Sequence, residues 1–249
     1  MSDSKINYKG EMSSLMRTKV LVITQRDPFF IDTFLYEFQK LNINCKVLNL
    51  PNFGKSFWWG LKRAKDLYGF YGLIKLITKA LTYKFSRKLT LDIIDIDSVE
   101  EITDYEDFIG DGDVLLSLSA PNRIPVEKLK FTGKKLNIHC GKLPEYAGMM
   151  PIFWQLNDNL KSITVTLQEL GEDIDKGNLI SETLIPFNQS LFQTSIDAKC
   201  QSAYILKDYI TKLEDNSINS LKKNPHTEHL RKFPSKEEIL YFKQRVKLI

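Results

Sequence analysis

A short β-branched run, Lys19-Val-Leu-Val-Ile-Thr24, opens the patterned part of the chain and suits a strand covered on both faces. Gln25-Arg26-Asp27-Pro28 then marks a turn, with Asp27 and Pro28 where a helix cap and a first-turn proline belong. Residues 29–41 carry apolar side chains at helical spacing, and residues 43–48 read as a second strand. The opening is thus β-α-β, the start of an open α/β sheet. Residues 55–88 predict one or two helices interrupted near Gly69 and Gly72. A strand over 89–96 and a short acidic helix over 99–109 follow. Residues 113–119 form a buried-strand pattern, and 135–139 a strand that ends in polar residues. Residues 150–156 suit a helix with Pro151 near its start. Residues 162–168 alternate as a half-exposed strand does, and 179–186 pair back after a turn at Lys176-Gly177. A long helix over 191–215 leads to a lysine-rich tail, whose end, 237–248, predicts a separate amphipathic helix.

The expected fold class is therefore α/β: an open, mostly parallel twisted sheet, Rossmann-like, with helices on both faces and a small, mainly helical C-terminal extension. The organisation expected is a polar leader over 1–17, one catalytic domain over 18–215 and a tail over 216–249. Composition supports a single medium core, with 43% hydrophobic residues in 249. The formal charge of +4 is mild; it accommodates an anionic small molecule but is not the footprint of a dedicated nucleic-acid binder. Cys45, Cys140 and Cys200 form neither a disulfide framework nor a metal-ligand spacing, which fits a reduced, cytoplasmic compartment. The leader lacks the apolar core of a signal peptide. Residues 71–86 are the most membrane-like stretch, but recurring lysines make them an amphipathic surface helix, so no stable membrane insertion is expected.

The chemistry concentrates in Asn137-Ile-His-Cys-Gly-Lys-Leu-Pro-Glu-Tyr-Ala-Gly148, followed on a later loop by Ile174-Asp-Lys-Gly177. Asn137 and His139 are two apart at a strand end, so their side chains share a face. A donating amide beside an imidazole that exchanges a proton suits acyl transfer to an amine. Asp175 is a candidate to orient that imidazole or to move protons through water. Gly141 and Gly148 allow unusual backbone angles, and Pro144 stiffens the turn between them. Cys140 points to the opposite face from His139 and reads as packing. Asp173 competes with Asp175 as a carboxylate, but the Asp-x-Gly pattern selects Asp175. His226 and His229 have the spacing of half a metal site without a third ligand nearby, so no metal is expected.

As a set, Asn137, His139, Leu143, Pro144, Tyr146, Gly148, Pro151, Thr164, Asp175 and Gly177 resemble the catalytic domain of the folate-dependent formyltransferases, over residues 113–187. That resemblance implies transfer of the formyl group of N10-formyltetrahydrofolate to an amine, with no metal. By the same resemblance Asn137 bonds the developing oxyanion, and Asp175 holds His139 and relays protons. His139 either accepts the amine's proton or stabilises the oxyanion in its charged form. The folate's pterin is expected against Ser117, Leu118, Ser119, Ala120 and Pro121 on one side and Leu170, Asp173 and Ile174 on the other, with Arg123 in reach. Among known members the string is most similar to the sugar N-formyltransferases, which act on dTDP- or UDP-linked amino sugars of bacterial surface glycans such as O-antigen. The expected partner is thus a nucleotide-linked amino sugar, dTDP ahead of UDP, in a homodimer and with no nucleic acid. Lys142, Tyr146, Phe153 and Trp154 are the candidates to contact it, with core packing the other reading for the two aromatics; Trp58 and Trp59 carry the same ambiguity. The long helical segment 55–88 is a candidate wall of the sugar pocket. Competing readings are a methionyl-tRNA or other amine formyltransferase, a formyltetrahydrofolate hydrolase, and a folate-binding module without catalysis.

Overall fold

The computed structural model describes residues 16–24, 30–49, 57–88, 100–101, 112–119, 123–188, 190–218, 221–225 and 229–249. Its strands are β1 Val20–Thr24, β2 Cys45–Asn49, β3 Glu100–Glu101, β4 Val114–Leu118, β5 Lys134–His139, β6 Ser162–Glu169 and β7 Leu179–Pro186. Among the described residues five α-helices accompany them: α1 Phe30–Lys40, α2 Phe57–Lys88, α3 Pro151–Asn157, α4 Leu191–Glu214 and α5 Lys236–Lys243. The strands form one seven-stranded sheet in the order β3-β2-β1-β4-β5-β6-β7. β1 to β5 are parallel to one another, whereas β6 pairs antiparallel with both β5 and β7. This is the mostly parallel open α/β sheet that the sequence pattern predicts.

The alternation of side chains explains why the central strands are apolar throughout. In β1, Val20 and Val22 join the larger core with α1, α3, α4 and α5, while Leu21 and Ile23 join a second cluster on the opposite face. Leu115 and Leu116 of β4 divide in the same way. The last helix packs into the larger core: Phe242 of α5 is fully buried and stacks on Phe153 of α3, with ring centroids 4.3 Å apart. Ser235 and Glu238 close a capping box at the start of α5. α2 is continuous except at Gly69, whose positive φ of 72° breaks the helical path.

Two expectations change. Residues 100–101 are a strand on the sheet edge instead of part of an acidic helix; the rest of that predicted helix, and the strand predicted over 89–96, lie outside the described residues. β6 is not half-exposed. Its polar positions are as covered as its apolar ones, with Thr164, Thr166 and Gln168 all buried. The Thr166 hydroxyl donates to the Gly141 carbonyl at 2.8 Å, Thr164 backbone N–H donates to the Gln155 side chain at 2.8 Å, and the Gln168 amide donates to Asp175 at 3.2 Å while its Oε1 has no partner.

Candidate active site

The carboxyl end of β5 supplies the first two groups. Asn137 pairs in register with Gln168 of β6, and His139 with Thr166. Asp175 arrives from the loop between β6 and β7 with φ of 56°, a left-handed conformation that Asp tolerates better than most side chains. Its Oδ1 lies 3.3 Å from His139 Nδ1 and accepts from Asn137 Nδ2 at 3.3 Å and Gln168 Nε2 at 3.2 Å. Oδ2 accepts from Gly148 N–H at 2.8 Å. The main-chain carbonyl of Asp175 accepts from Asn224 Nδ2 at 2.9 Å. A residue in a sparsely populated backbone region is thus held from four directions.

His139 is 7% exposed, and its Nε2 lies 2.8 Å from the Tyr146 carbonyl. A carbonyl only accepts, so Nε2 carries a proton. Nδ1 is the nitrogen facing Asp175. Two glycines keep this space open for different reasons. Gly148 has φ of 105°, and a Cβ there would meet the Arg231 carbonyl at 2.4 Å. Gly141 has no unusual backbone angle; a Cβ there would come within 2.8 Å of His139 Nε2 and 2.7 Å of Pro151. The expectation of strained angles therefore holds at Gly148, while Gly141 is required by close approach.

The trio opens into a cavity of about 830 Å³, walled by Ser117 of β4 and Ser119 just after it, by Leu170, Gly171, Asp173 and Ile174 before Asp175 and by Leu67 and Tyr68 of α2. The tail closes it: Leu230, Arg231 and Lys232 line the wall. Arg231 N–H donates to the Ala147 carbonyl at 2.8 Å, and its own carbonyl accepts from Met149 N–H at 2.8 Å, next to Gly148.

No protein-family model matches the chain. In sequence, 87 residues are 31% identical to the bifunctional polymyxin resistance protein ArnA of Wigglesworthia glossinidia brevipalpis, covering 34% of this chain and 13% of that protein. The methionyl-tRNA formyltransferase of Listeria welshimeri is 23% identical over 121 residues, 48% of this chain and 39% of that enzyme. The matched stretches therefore span well under half the length of these curated relatives. In structure, a 4-N formyltransferase from Francisella tularensis has a TM-score of 0.54 at 18% identity, covering 88% of this chain and 77% of that one. The N-formyltransferase of Helicobacter canadensis, solved with folinic acid and dTDP-3-aminofucose, has a TM-score of 0.52 at 18% identity, covering 93% and 84%. The fold is that of the sugar N-formyltransferases.

Within this formyltransferase fold the other expected residues divide. Ser117, Ser119, Leu170, Asp173 and Ile174 all reach the cavity wall, as does Arg123, while Ala120 and Pro121 lie outside the described residues. Leu118 does not reach it: strand alternation turns its side chain into the core, and its carbonyl accepts from the Thr24 hydroxyl at 2.7 Å. Lys142 is exposed and paired with Glu145 at 2.7 Å, away from the cavity lining. The Tyr146 side chain also turns away, its hydroxyl donating to Asp158 at 3.2 Å. Loss of solvation and then the Asp158 charge push that phenol up to about 12. Only the Tyr146 carbonyl serves the site, through His139. Phe153 is fully buried against Phe242, and Trp154 is 5% exposed with its indole N–H bonded to the Lys232 carbonyl at 3.0 Å. Both rings are buried, Phe153 at the cavity wall and Trp154 under the Arg231 guanidinium, so core packing accounts for their placement. Cys140 is buried in the core, as its strand position predicts.

The sequence reading missed Gln168, Asn224 and Arg231. Gln168 carried no signal of its own, since its alternation with Thr164 and Thr166 reads as a solvent face. His226 of the suggested metal half-site lies outside the described residues. No helix among the described residues is long and apolar enough to cross a membrane.

Proposed function

We propose that the chain is a folate-dependent N-formyltransferase that uses N10-formyltetrahydrofolate to formylate the amine of a nucleotide-linked amino sugar. The observation that carries this reading is the convergence of Asn137, His139 and Asp175 on one cavity at the strand ends of a formyltransferase fold. The Helicobacter canadensis enzyme, solved with folinic acid and a dTDP-linked amino sugar, supports the choice of both co-substrates.

The folate supplies the formyl carbon; the amine bonds to it, the bond to N10 breaks, and one proton passes on balance from the amine to N10. Asn137 donates one amide N–H to Asp175, and its second N–H is the donor for the oxygen that gains negative charge. His139, with its proton on Nε2, takes up the amine's proton at Nδ1. Asp175 stabilises the imidazolium so formed from 3.3 Å away and keeps the ring in place. The buried setting strengthens these charge interactions relative to water. Leu67 and Tyr68 give α2 a part in the wall that selects the acceptor.

The test is mass spectrometry of N10-formyltetrahydrofolate incubated with a panel of dTDP- and UDP-linked amino sugars, with formate release measured in parallel. The similarity to methionyl-tRNA formyltransferases makes methionyl-tRNA the required comparison acceptor. A formylated sugar produced by the native protein and not by His139→Ala supports the proposal. Formyl on methionyl-tRNA alone, or on water alone, overturns the sugar assignment.

A further inference from the structure

Lys199 lies in the third turn of α4, is 7% exposed, and lines the cavity. Its ammonium donates to the Ser119 hydroxyl at 2.8 Å, and among the described residues no carboxylate pairs with it. Buried lysines are rare without a counter-charge, because an ammonium removed from water loses hydration that a single neutral hydroxyl does not restore. The carboxylates along the same cavity are engaged elsewhere. Asp175 holds the His139 cluster, Asp173 pairs with Lys176 at 3.1 Å, and Glu169 accepts from Asn178 at 2.7 Å.

Ser119 adds a second donor. Its oxygen accepts from Lys199, so its own proton is free to turn toward the cavity. Its backbone is left-handed, with φ of 53°, where β4 ends. β4 neighbours β5, with Ser117 in register with Asn137. Ser119 is two residues further along, so its backbone stands about 8 Å from that of Asn137, from strand spacing and rise. An ammonium and a hydroxyl facing one space select a ligand with negative oxygen atoms.

We infer that Lys199 and Ser119 form an oxyanion subsite that holds a phosphate or carboxylate of a co-substrate one strand away from Asn137. This inference rests on the proposed function for the identity of the co-substrates. Two sources carry such a group: the diphosphate of a nucleotide sugar and the glutamate carboxylates of the folate. Either molecule would then be fixed at its charged part while its reacting part lies at His139.

The experiment is calorimetric titration of the full chain and its Lys199→Met and Lys199→Arg variants. Five probes are used: inorganic pyrophosphate, dTDP, thymidine, 5-formyltetrahydrofolate and the glutamate-free primary amide of 5-formyltetrahydropteroic acid, which has no carboxylate. The expected result is at least a tenfold weaker dTDP or 5-formyltetrahydrofolate in Lys199→Met, with its counterpart lacking the diphosphate or glutamate unchanged. Lys199→Arg should retain affinity within about threefold, and added salt should shrink the difference. Loss on dTDP assigns the diphosphate; loss on the folate assigns the glutamate. Equal loss on charged probes and their counterparts, or no loss at all, overturns the subsite. If the native protein binds neither nucleotide nor folate, the proposed function fails by itself. Pyrophosphate then decides: binding lost in Lys199→Met keeps the subsite, and no binding by the native protein overturns it.

Discussion

Residues 137–175 and residues 221–249 meet at the same cavity, yet they contribute in different ways. The first stretch brings the trio proposed to exchange protons and charge, on a strand end and one loop. Among its described residues the second adds no member to that trio. It holds the first in place through Asn224 on the Asp175 carbonyl, the Arg231 backbone beside Gly148, and Phe242 under α3. The comparison separates groups that act from groups that position, and substitutions in the two stretches should fail differently.

The largest effect is expected at His139. His139→Ala should lower kcat by about 10²–10⁴-fold, the usual worth of a positioned acid–base group, with little change in melting temperature. Retention of kcat within tenfold would remove His139 from the chemistry. Phe242→Ala is the counterpart in the tail. It deletes a fully buried ring stacked on Phe153 and should lower unfolding free energy by about 3–5 kcal/mol, read by urea denaturation. Its kcat, measured on the fraction that remains folded, should stay near that of the native protein. A collapse of kcat without loss of stability would reverse the assignment of the tail as support.

Much of the first stretch was legible because its constraints are local. Strand alternation alone put Asn137 and His139 on one face and Cys140 in the core. The same reasoning misplaced β6, where Thr164, Thr166 and Gln168 implied a wet face. Their partners, Gln155, Gly141 and Asp175, come from other elements and leave no pattern within the strand. The aromatics at 153 and 154 were ambiguous for a related reason. What covers them is the far end of the chain, Phe242 and the Lys232 carbonyl. The tail was the least legible part, because lysines and two prolines describe a surface segment equally well whether or not one asparagine reaches the site.

Gly148 lies on the boundary between the two stretches. Gly148→Ala would place a methyl 2.4 Å from the Arg231 carbonyl at a φ of 105°. The strain and the displaced tail contact should lower stability by about 1–3 kcal/mol. Because Gly148 N–H also bonds Asp175, kcat should fall as well. Loss of stability with kcat intact would mean that the Gly148–Asp175 bond plays no part in ordering the trio.

The smallest effect sharpens the comparison most, because it asks a tail residue to show itself as rate. Asn224 is fully buried, and its amide donates to the main-chain carbonyl of Asp175 at 2.9 Å. Asn224→Ala removes that bond, and a buried hydrogen bond of this kind contributes about 0.5–1.5 kcal/mol to stability. Asp175 is in the left-handed region, so a weaker hold on its backbone lets the carboxylate turn away from His139 Nδ1. The expected result is a melting temperature lowered by a few degrees and a kcat lowered by about tenfold, on the scale set by 1.4 kcal/mol of lost transition-state stabilisation. The substrate KM should move little, since Asn224 is not among the residues that line the cavity. A stability loss with kcat unchanged would make Asn224 a packing residue and confine positioning of Asp175 to Gly148, Gln168 and Asn137. A rise in KM alone would instead mean that the tail shapes the binding pocket, with Asp175 held independently of it.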